Sequence, residues 1–279
     1  MLVSIVIVTK NRINFLKKSL NSAMNQTYKK KEIIVVDDGS NDDTKYFLNA
    51  YADKYSNFIY IRNNKSMGAN YSRNIGFKCS KGLIVAYLDD DDFWFNDKLE
   101  KQMDIMTDNS VDIVTCNFEY NKFLIKYNSN IPSICSLKRL LKENYLRGMS
   151  GIVLRKESFK EGLFDINLPS CQDWDFWIRN ILEKKKIKIH QSNLYKYTIH
   201  SNNKITNNLK NSYKGRKIFF LKYHGLFKKK LRNEKIYELL IMKSIIYNKF
   251  FSFMNILINL NTGMSLRLRI SYIIKFLKS

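Results

Sequence analysis

Histidine, cysteine and proline are scarce in this chain. Its 279 residues include three histidines, four cysteines and two prolines. The cysteines lie far apart and form no Cys-x-x-Cys pair; they are Cys79, Cys116, Cys135 and Cys171. A zinc ribbon needs such pairs and a disulfide framework needs a denser set, so the sequence favours neither. We therefore expect a reducing, cytoplasmic compartment.

Long apolar runs are also missing. The best apolar stretch, residues 236–260, is interrupted by Glu238, Lys243, Asn248, Lys249 and Asn255. Because a membrane-spanning helix needs about 20 mainly apolar residues, the sequence predicts no transmembrane span. The first apolar run, residues 3–8, is only as long as a strand and has no basic residue before it, so we expect no signal peptide.

The chain carries a large positive charge. It has 48 lysines and arginines against 25 acidic residues, which gives a formal net charge of +23. Such a charge favours polyanions, phosphate-bearing ligands or an anionic membrane surface as partners. Residues 204–279 contain 17 of the basic residues and only two acidic ones, so most of the excess lies in the C-terminal quarter.

This C-terminal segment, residues 204–279, also has apolar residues at helical spacing. They are Ile218, Leu221, Leu226, Ile236, Leu239, Leu240, Leu266, Ile270, Ile273, Ile274 and Leu277. The pattern predicts basic amphipathic helices. Two interpretations stay open: the helices pack on the main domain with their lysines in water, or they contact an anionic membrane, where each Lys or Arg contributes about 1 kcal/mol.

The first 120 residues alternate between strand and helix patterns. Short β-branched or apolar runs predict strands at residues 3–8, 33–36, 58–61 and 83–88. Helical patterns follow them at residues 13–24, after 40–43, at 68–79 and at 96–106. This alternation predicts an α/β fold with a doubly wound, mainly parallel sheet. Ligands of such sheets bind at the carboxyl ends of the strands.

Acidic clusters follow two of these predicted strands. Asp37 and Asp38 come after one, and four consecutive aspartates, residues 89–92, come after another. Neighbouring carboxylates raise one another's pKa values, so a divalent cation is the natural compensating charge. In an extended segment Asp89 and Asp91 point the same way, and oxygen ligands favour Mg²⁺ or Mn²⁺. The alternative is a solvated acidic turn that caps the next helix.

Six segments of the sequence form an ordered series of motifs. They are VSIVIVTKNR at 3–12, VVDDGS at 35–40, GANYSRNIG at 68–76, LDDDDFW at 88–94, GLFD at 162–165 and QDWDFWIR at 172–179. In this order and spacing they resemble glycosyltransferase family 2, whose members have the GT-A fold. The resemblance covers about residues 1–203. It implies a nucleotide-sugar half at about 1–120 and an acceptor half at 121–203. The basic helical extension at 204–279 is predicted from its charge and apolar spacing and has no counterpart in the resemblance.

The resemblance also implies roles on the donor side. Nucleotide-sugar binding is implied for Thr9, Asn11, Arg12, Asp38, Asn70, Arg73, Asp89 and Asp90, and Mn²⁺ or Mg²⁺ binding for Asp89, Asp91 and His200. A carboxylate such as Asp38 accepts from the uracil N–H, and a guanidinium such as Arg73 suits phosphate oxygens. The structural alternatives are a helix cap for Asp38, a surface arginine for Arg73 and an ordinary strand-end histidine for His200.

On the acceptor side, Asp173 matches the family's general base. The nearby Asp175 is the competing candidate, and N-capping of a helix is the structural alternative for Asp173. Trp174, Trp177 and Asp175 are candidate acceptor-binding residues. Buried packing is an equally good interpretation for the two tryptophans.

These inferences predict a metal-dependent, inverting glycosyltransferase that moves a sugar from a UDP-sugar to a saccharide hydroxyl. We expect a polyprenyl-diphosphate-linked saccharide acceptor, in O-antigen or capsule synthesis, and a peripheral location on the inner membrane face through residues 204–279. An alternative is transfer to a polyprenyl phosphate, whose ionised oxygen needs no base. A basic nucleic-acid-binding protein is a third hypothesis; acidic strand ends repel phosphates, so we expect no nucleic-acid partner.

Overall fold

The computed structural model describes residues 1–122, 125–160, 163–198 and 209–246. The chain divides into two compact units. The first comprises Met1–Leu140, Asn144–Ile166 and the residues from Gln172 to 198 that are described. The second comprises Leu141–Glu143, Asn167–Cys171 and the described C-terminal residues 209–246. The predicted domain boundary at 203/204 lies outside the described residues.

Strands and helices alternate through the first part of unit 1. The elements are β1 Val3–Thr9, α1 Ile13–Met24, β2 Lys31–Asp37, α2 Thr44–Lys54, β3 Phe58–Arg62, α3 Ala69–Cys79 and β4 Ile84–Asp89. The interior residues of β1, β2 and β4 are almost wholly buried, as expected for β-branched strands covered on both faces. The α/β alternation predicted from the sequence is confirmed, with element ends displaced by only a few residues.

Further strands and helices follow in unit 1, and the last residues of one of them, α5 Leu137–Lys142, belong to unit 2. They are β5 Phe93–Trp94, α4 Lys98–Met106, β6 Ile113–Lys122, β7 Ile125–Asn128, α5 Leu137–Lys142, β8 Val153–Arg155, α6 Gln172–Leu182 and β9 Ile187–Tyr197. The strands form one mixed sheet in the order β3-β2-β1-β4-β8-β6-β9-β5, with β7 paired to β6. The β3-β2-β1-β4 part is parallel, and β8 pairs antiparallel with both β4 and β6.

The sheet topology brings the acidic strand ends together. The chain order reverses at β1, which lies between β2 and β4. Thr9 at the end of β1 is paired in register with Asp37 of β2, and the neighbouring Val8 is paired with Asp89 of β4. In open α/β sheets a crevice forms at such a switch point, outside the carboxyl ends of the strands. The residues that follow β1, β2 and β4 therefore surround one crevice.

Two basic helices make up the described C-terminal part of unit 2. They are α7 Leu209–Tyr223 and α8 Lys229–Ile246. The buried positions of α7 are Ser212, Gly215, Phe219 and Tyr223, and Gly215 packs so closely on Ser170 that a Cβ there would overlap its hydroxyl. The apolar stripe predicted from the sequence is not the buried face, because Leu221 of α7 and Leu240 of α8 are exposed. The predicted helix at 266–277 lies outside the described residues.

In the described parts of the chain, we find no helix long and apolar enough to span a membrane.

Candidate active site

The four aspartates at 89–92, which we call the acidic turn, form a tight turn after β4. The backbone N–H of Asp92 donates to the carbonyl of Asp89 at 3.1 Å, so the segment is a turn and not the extended strand expected from the sequence. Exposure nevertheless alternates. The side chains of Asp89 and Asp91 are 24% and 15% exposed, whereas those of Asp90 and Asp92 are buried.

Two arginines pair with the acidic turn. Arg12, which precedes α1, donates from Nη1 to Asp90 Oδ1 at 3.1 Å and to Asp91 Oδ2 at 3.2 Å. Arg73 of α3 donates from Nη2 to Asp89 Oδ1 at 2.8 Å. Both guanidinium groups are largely shielded from solvent, so these charge-assisted hydrogen bonds are stronger than surface ion pairs.

The buried aspartates of the turn are difficult to ionise. Burial is the main cause that raises the pKa of Asp90 to about 7; Asp91 raises it further, while Arg12 and Thr9 oppose the rise. Burial, together with the charges of Asp91 and Asp89, also raises the pKa of Asp92 well above its usual range. Four carboxylates thus share a site with two arginines, and a further cation there would favour ionisation of Asp90 and Asp92.

The residues that follow β1 connect this strand to its neighbours. Thr9 Oγ1 donates to Asp90 Oδ2 at 2.7 Å. Asn11 has a left-handed backbone, with φ of 52°, and its N–H donates to Ser40 Oγ at 2.9 Å. Its side-chain oxygen accepts the N–H of Asn41 at 2.7 Å. Thr9 and Asn11 therefore tie the end of β1 to the acidic turn and to the β2–α2 loop.

Asp38 organises the loop before α3. Its two carboxylate oxygens accept hydrogen bonds from the side chains of Asn63, Ser66 and Ser72 and from the backbone N–H groups of Met67 and Gly68. Burial alone would raise the pKa of Asp38, but these hydrogen bonds outweigh it and hold the pKa below its ordinary value. Asp38 thus braces the entry to α3 and does not cap α2, while its uracil contact stays a prediction.

The described residues of the GLFD motif, 163–165, pack against α3. Asn70 Nδ2 donates to the carbonyl of Asp165 at 2.6 Å. Asn74 and Phe164 form a reciprocal pair, since the Asn74 amide donates to the Phe164 carbonyl and accepts the Phe164 N–H, each at 2.8 Å. The Phe164 ring also lies beneath the Arg73 guanidinium, 5.8 Å from its centroid. Residues 163–165 therefore fix α3, which carries Asn70 and Arg73.

Asp173 is the second residue of α6 and lies within its first turn, so it is not the N-cap. Its Oδ2 accepts the side-chain amide of Asn144 at 2.8 Å and the backbone N–H of Gly148 at 2.9 Å. The next backbone N–H, that of Met149, donates to Asp89 Oδ2 at 3.4 Å. Consecutive peptide groups thus contact the predicted base and the acidic turn.

Ser150 extends this connection. Its Oγ donates to Asp92 Oδ2 at 2.6 Å and accepts the N–H of Asp89 at 3.0 Å. We call residues 148–150 the bridging segment. Burial, and after it the charges of Asp92, Asp173, Asp89 and Asp91, raise the pKa of the nearby Tyr197 above its ordinary value. Asp173 and the acidic turn therefore surround the same space.

The predicted acceptor residues are buried. Trp177 is fully buried and Trp174 is 7% exposed, with its indole N–H donating to the Leu140 carbonyl at 2.6 Å. Asp175 is 1% exposed and pairs with Arg179 one helical turn later, at 2.8 Å. Burial favours the packing interpretation for both tryptophans, and the ion pair favours Asp173 over Asp175 as the base.

Oxygen ligands for a divalent cation are present at the acidic turn. Asp89 and Asp91 have its most accessible carboxylates, and carboxylate oxygens are ligands that Mg²⁺ and Mn²⁺ favour. Within the described ranges no three His, Cys, Asp or Glu side chains already surround a common point. The third predicted ligand, His200, lies outside those ranges.

Sequence reasoning missed three groups that hold the site together: the Asn144 amide, the Gly148 N–H and the Ser150 hydroxyl. They lie between the recognised motifs, in residues 144–150, where the sequence has no periodic pattern. The one signal in the sequence was the glycine at position 148. In the structure this residue has a φ of 70°, a conformation that glycine adopts without strain. That signal predicts a turn but not the acid that the turn contacts.

The chain is similar to known proteins in sequence and in structure. The family described as Glycosyl transferase family 2 matches residues 4–150. The Escherichia coli protein named UDP-Glc:alpha-D-GlcNAc-diphosphoundecaprenol beta-1,3-glucosyltransferase WfaP is 33% identical over 214 residues, which cover 75% of this chain and 82% of that protein. Uncharacterized glycosyltransferase RC0461 of Rickettsia conorii is 34% identical over 213 residues, 72% of this chain. The chain spans only about a third of the length of that relative.

Solved structures with a similar fold include two with a bound nucleotide-sugar. Staphylococcus aureus TarS 1–349 in complex with UDP-GlcNAc has a TM-score of 0.68 at 18% identity, covering 92% of this chain and 80% of that one. The mannosyltransferase PcManGT from Pyrobaculum calidifontis, in complex with GDP-Man and Mn²⁺, has a TM-score of 0.62 at 14% identity, covering 99% and 79%. At these identities the likeness bears on the fold.

The fold expected from the motifs is confirmed by these neighbours, and the chain belongs to glycosyl transferase family 2, as a glycosyltransferase with the GT-A fold.

Proposed function

We propose that this glycosyltransferase moves a sugar from a UDP-sugar to a hydroxyl of a polyprenyl-diphosphate-linked saccharide, with inversion at the anomeric carbon. One observation carries the proposal: the consecutive N–H groups of Gly148 and Met149 contact Asp173 and Asp89. Since adjacent residues are about 3.8 Å apart, the proposed base lies close to the carboxylates that would hold the cation. Such proximity is needed for a base to act on an acceptor that attacks a nucleotide-sugar.

The donor side has the charges needed to bind a diphosphate. Asp89 and Asp91 are the residues that would hold Mg²⁺ or Mn²⁺. Such a cation, when bound, supplies positive charge to the departing diphosphate. Arg12 and Arg73 pair with the turn and bring guanidinium groups to the same crevice, where planar donors suit phosphate oxygens. Thr9, Asn11, Asp38 and Asn70 shape the crevice through the hydrogen bonds described above.

Asp173 is proposed as the general base. As the acceptor oxygen bonds to the anomeric carbon, its proton passes to the Asp173 carboxylate, and the bond from that carbon to the diphosphate oxygen breaks. The electron pair of that broken bond leaves with UDP. The intermediate exposure of Asp173 supports this role, because a base must be reachable by the acceptor. Its neighbour Asp175 is nearly inaccessible.

The proposed acceptor and membrane location are supported by a relative and by unit 2. WfaP is named for transfer to a diphosphoundecaprenol-linked GlcNAc, an acceptor anchored in a membrane. Helix α7 exposes Leu221 beside Lys214, Lys217 and Lys222. Exposed leucines among lysines suit the interface of an anionic membrane. We accordingly propose a peripheral location on the inner membrane face, through residues 204–279.

Replacement of the base tests this function. UDP release is measured with a panel of UDP-sugars, Mn²⁺ and a GlcNAc-diphosphate lipid acceptor, and UDP affinity is measured by calorimetry. Asp173→Asn should lower kcat by about 10²- to 10⁴-fold while UDP affinity stays within twofold. Asp104→Asn, on the exposed side of α4, is the matched control and should be unaffected.

Near-normal turnover of Asp173→Asn would contradict the base assignment. If the variant stayed active specifically with a polyprenyl phosphate acceptor, the alternative reaction would replace our proposal, because an ionised phosphate oxygen needs no base. NMR of the product tests inversion separately. The anomeric configuration of the transferred sugar must be opposite to that in the donor.

A further inference from the structure

The side chain of Asn144 is held by very few polar contacts. Its Nδ2 donates to Asp173 Oδ2 at 2.8 Å. Its Oδ1 is buried and has no hydrogen-bond partner among the described residues. A buried acceptor without a partner costs about 1–3 kcal/mol, whereas an apolar side chain at this position would avoid that cost. Stability of the fold therefore does not explain an amide here, and its hydrogen bond to Asp173 does.

The backbone around Gly148 is shaped toward the same carboxylate oxygen. Arg147 and Gly148 both have positive φ, 23° and 70°, and for a residue with a side chain such as Arg147 this conformation is strained. The resulting turn directs the Gly148 N–H to Asp173 Oδ2 at 2.9 Å. Two donors from residues 144–148 thus converge on one oxygen of the predicted base.

The two oxygens of Asp173 therefore differ. Oδ2 accepts the two hydrogen bonds from Asn144 and Gly148, whereas Oδ1 accepts one, from the backbone N–H of Trp174 at 2.9 Å. A carboxylate oxygen has about two lone-pair sites, so Oδ1 retains the greater capacity to accept a proton.

We infer that Asn144 is a positioning residue for the base. It holds Oδ2 so that Oδ1 is the atom that takes the proton of the acceptor hydroxyl. This inference rests on the proposed role of Asp173 and adds a residue that acts through it. Proximity effects explain its importance, because a displacement of about 1 Å in a reacting group lowers the rate by about 100-fold.

Two variants of Asn144 test the inference. Asn144→Ala removes the amide, and Asn144→Asp keeps its shape but replaces the N–H donor with a carboxylate oxygen. We expect both to lower kcat for sugar transfer by about 10- to 100-fold, with the KM for the UDP-sugar and the calorimetric affinity for UDP within twofold. Asn144→Gln, which keeps an amide donor on a longer side chain, should recover part of the lost kcat.

The matched control is Asn180→Ala. Asn180 is buried on the same helix as Asp173, and its amide donates to the Phe176 carbonyl at 2.8 Å, away from the site. We expect this variant to have a lower melting temperature and an unchanged kcat per folded molecule. A residue that serves only the fold behaves in this way, so the control shows what a purely structural asparagine would give.

The outcomes separate the inference from the proposed function. If Asp173→Asn is inactive and both Asn144→Ala and Asn144→Asp have normal kcat, the positioning role is overturned and the base assignment stands. If Asp173→Asn is active, the base assignment is overturned and the inference falls with it. If Asn144→Ala fails to fold, the kcat of the isosteric Asn144→Asp decides, and a normal value overturns the inference.

Discussion

Lys98 of α4 is a fully buried lysine, and its replacement by methionine gives a sharp test of the structure. Its Nζ donates to the side-chain oxygen of Gln102 and lies 4.0 Å from the centroid of the Trp94 ring. Burial is the main cause that lowers the pKa of Lys98 from its ordinary 10.5 to about 8. Since each pH unit corresponds to about 1.4 kcal/mol, the charged form costs the native state about 3 kcal/mol.

Proton linkage gives the direction in which the free energy of unfolding changes with pH. Below about pH 8 Lys98 is charged in both the native and unfolded states, and the whole cost is present. Between about pH 8 and 10.5 the unfolded chain binds the proton and the native protein does not, so the free energy of unfolding rises with pH. Lys98→Met lacks this rise. Relative to wild type, the variant should lose about 2–3 kcal/mol between pH 7 and pH 10.

The pH dependence is the quantity to measure, because it reports the lowered pKa of Lys98 directly, whereas the stability difference at a single pH also contains the lost contacts. The hydrogen bond to Gln102 and the contact with Trp94 are each worth about 1 kcal/mol, so the difference at pH 7 alone is small. Cys116 lies nearby, but burial raises its pKa to about 11, and it stays protonated in the native protein over this range.

Urea unfolding, followed by tryptophan fluorescence at several pH values, provides the measurement. Lys101→Met is the matched control, since Lys101 is a partly exposed lysine on the same helix that pairs with Asp97. This variant removes a lysine from α4 but leaves Lys98 in place, so it should keep the rise in stability with pH. If Lys98→Met also kept this rise, Lys98 would not be desolvated as the structure has it.

Four further predictions concern the site and unit 2. Ser150→Ala removes the hydroxyl bound to Asp92 and Asp89, so the KM for the UDP-sugar in Mn²⁺ should rise about tenfold; an unchanged KM would contradict the bracing role. Asp38→Asn leaves several donors facing an amide, so urea unfolding should give about 2 kcal/mol lower stability. Treatment with EDTA should abolish UDP-sugar hydrolysis and Mn²⁺ should restore it, whereas EDTA-resistant turnover would refute metal dependence. Replacing Lys214, Lys217 and Lys222 with glutamate should release the protein from anionic vesicles, and neutral vesicles serve as the control.

The strand ends explain why so much of the donor side was predictable. Buried parallel strands have continuous β-branched sequences, and polar residues such as Thr9, Asp38 and Asp89 mark where these strands end. Because the strands are parallel, those polar residues lie at the same edge of the sheet. Local sequence therefore determines both the element and its position in the crevice. The positions of Asp173 and Trp174 depend instead on how α6 packs, which short-range periodicity does not encode.

Tertiary contacts account for the remaining differences between the sequence-based predictions and the structure. The alternating exposure of the four aspartates agrees with the prediction, but the predicted cause, an extended strand, is wrong. A turn and two paired arginines produce the alternation. Asn144 and Ser150 are recognisable only once their acidic partners, distant in the sequence, are known. In α7, small residues such as Ser212 and Gly215 form part of the buried face, so a search for leucines selected another face.

The bridging segment has a consequence for how new specificities arise in such an enzyme. Two backbone N–H groups and one hydroxyl of this segment contact the proposed base and the acidic turn. If these carboxylates act as we propose, a backbone shift that suits a different acceptor also disturbs the binding of the leaving group. Hybrid enzymes assembled from two relatives should therefore keep residues 148–150, the acidic turn and Asp173 from a single parent. A hybrid that takes these segments from different parents is expected to fold but to lack activity.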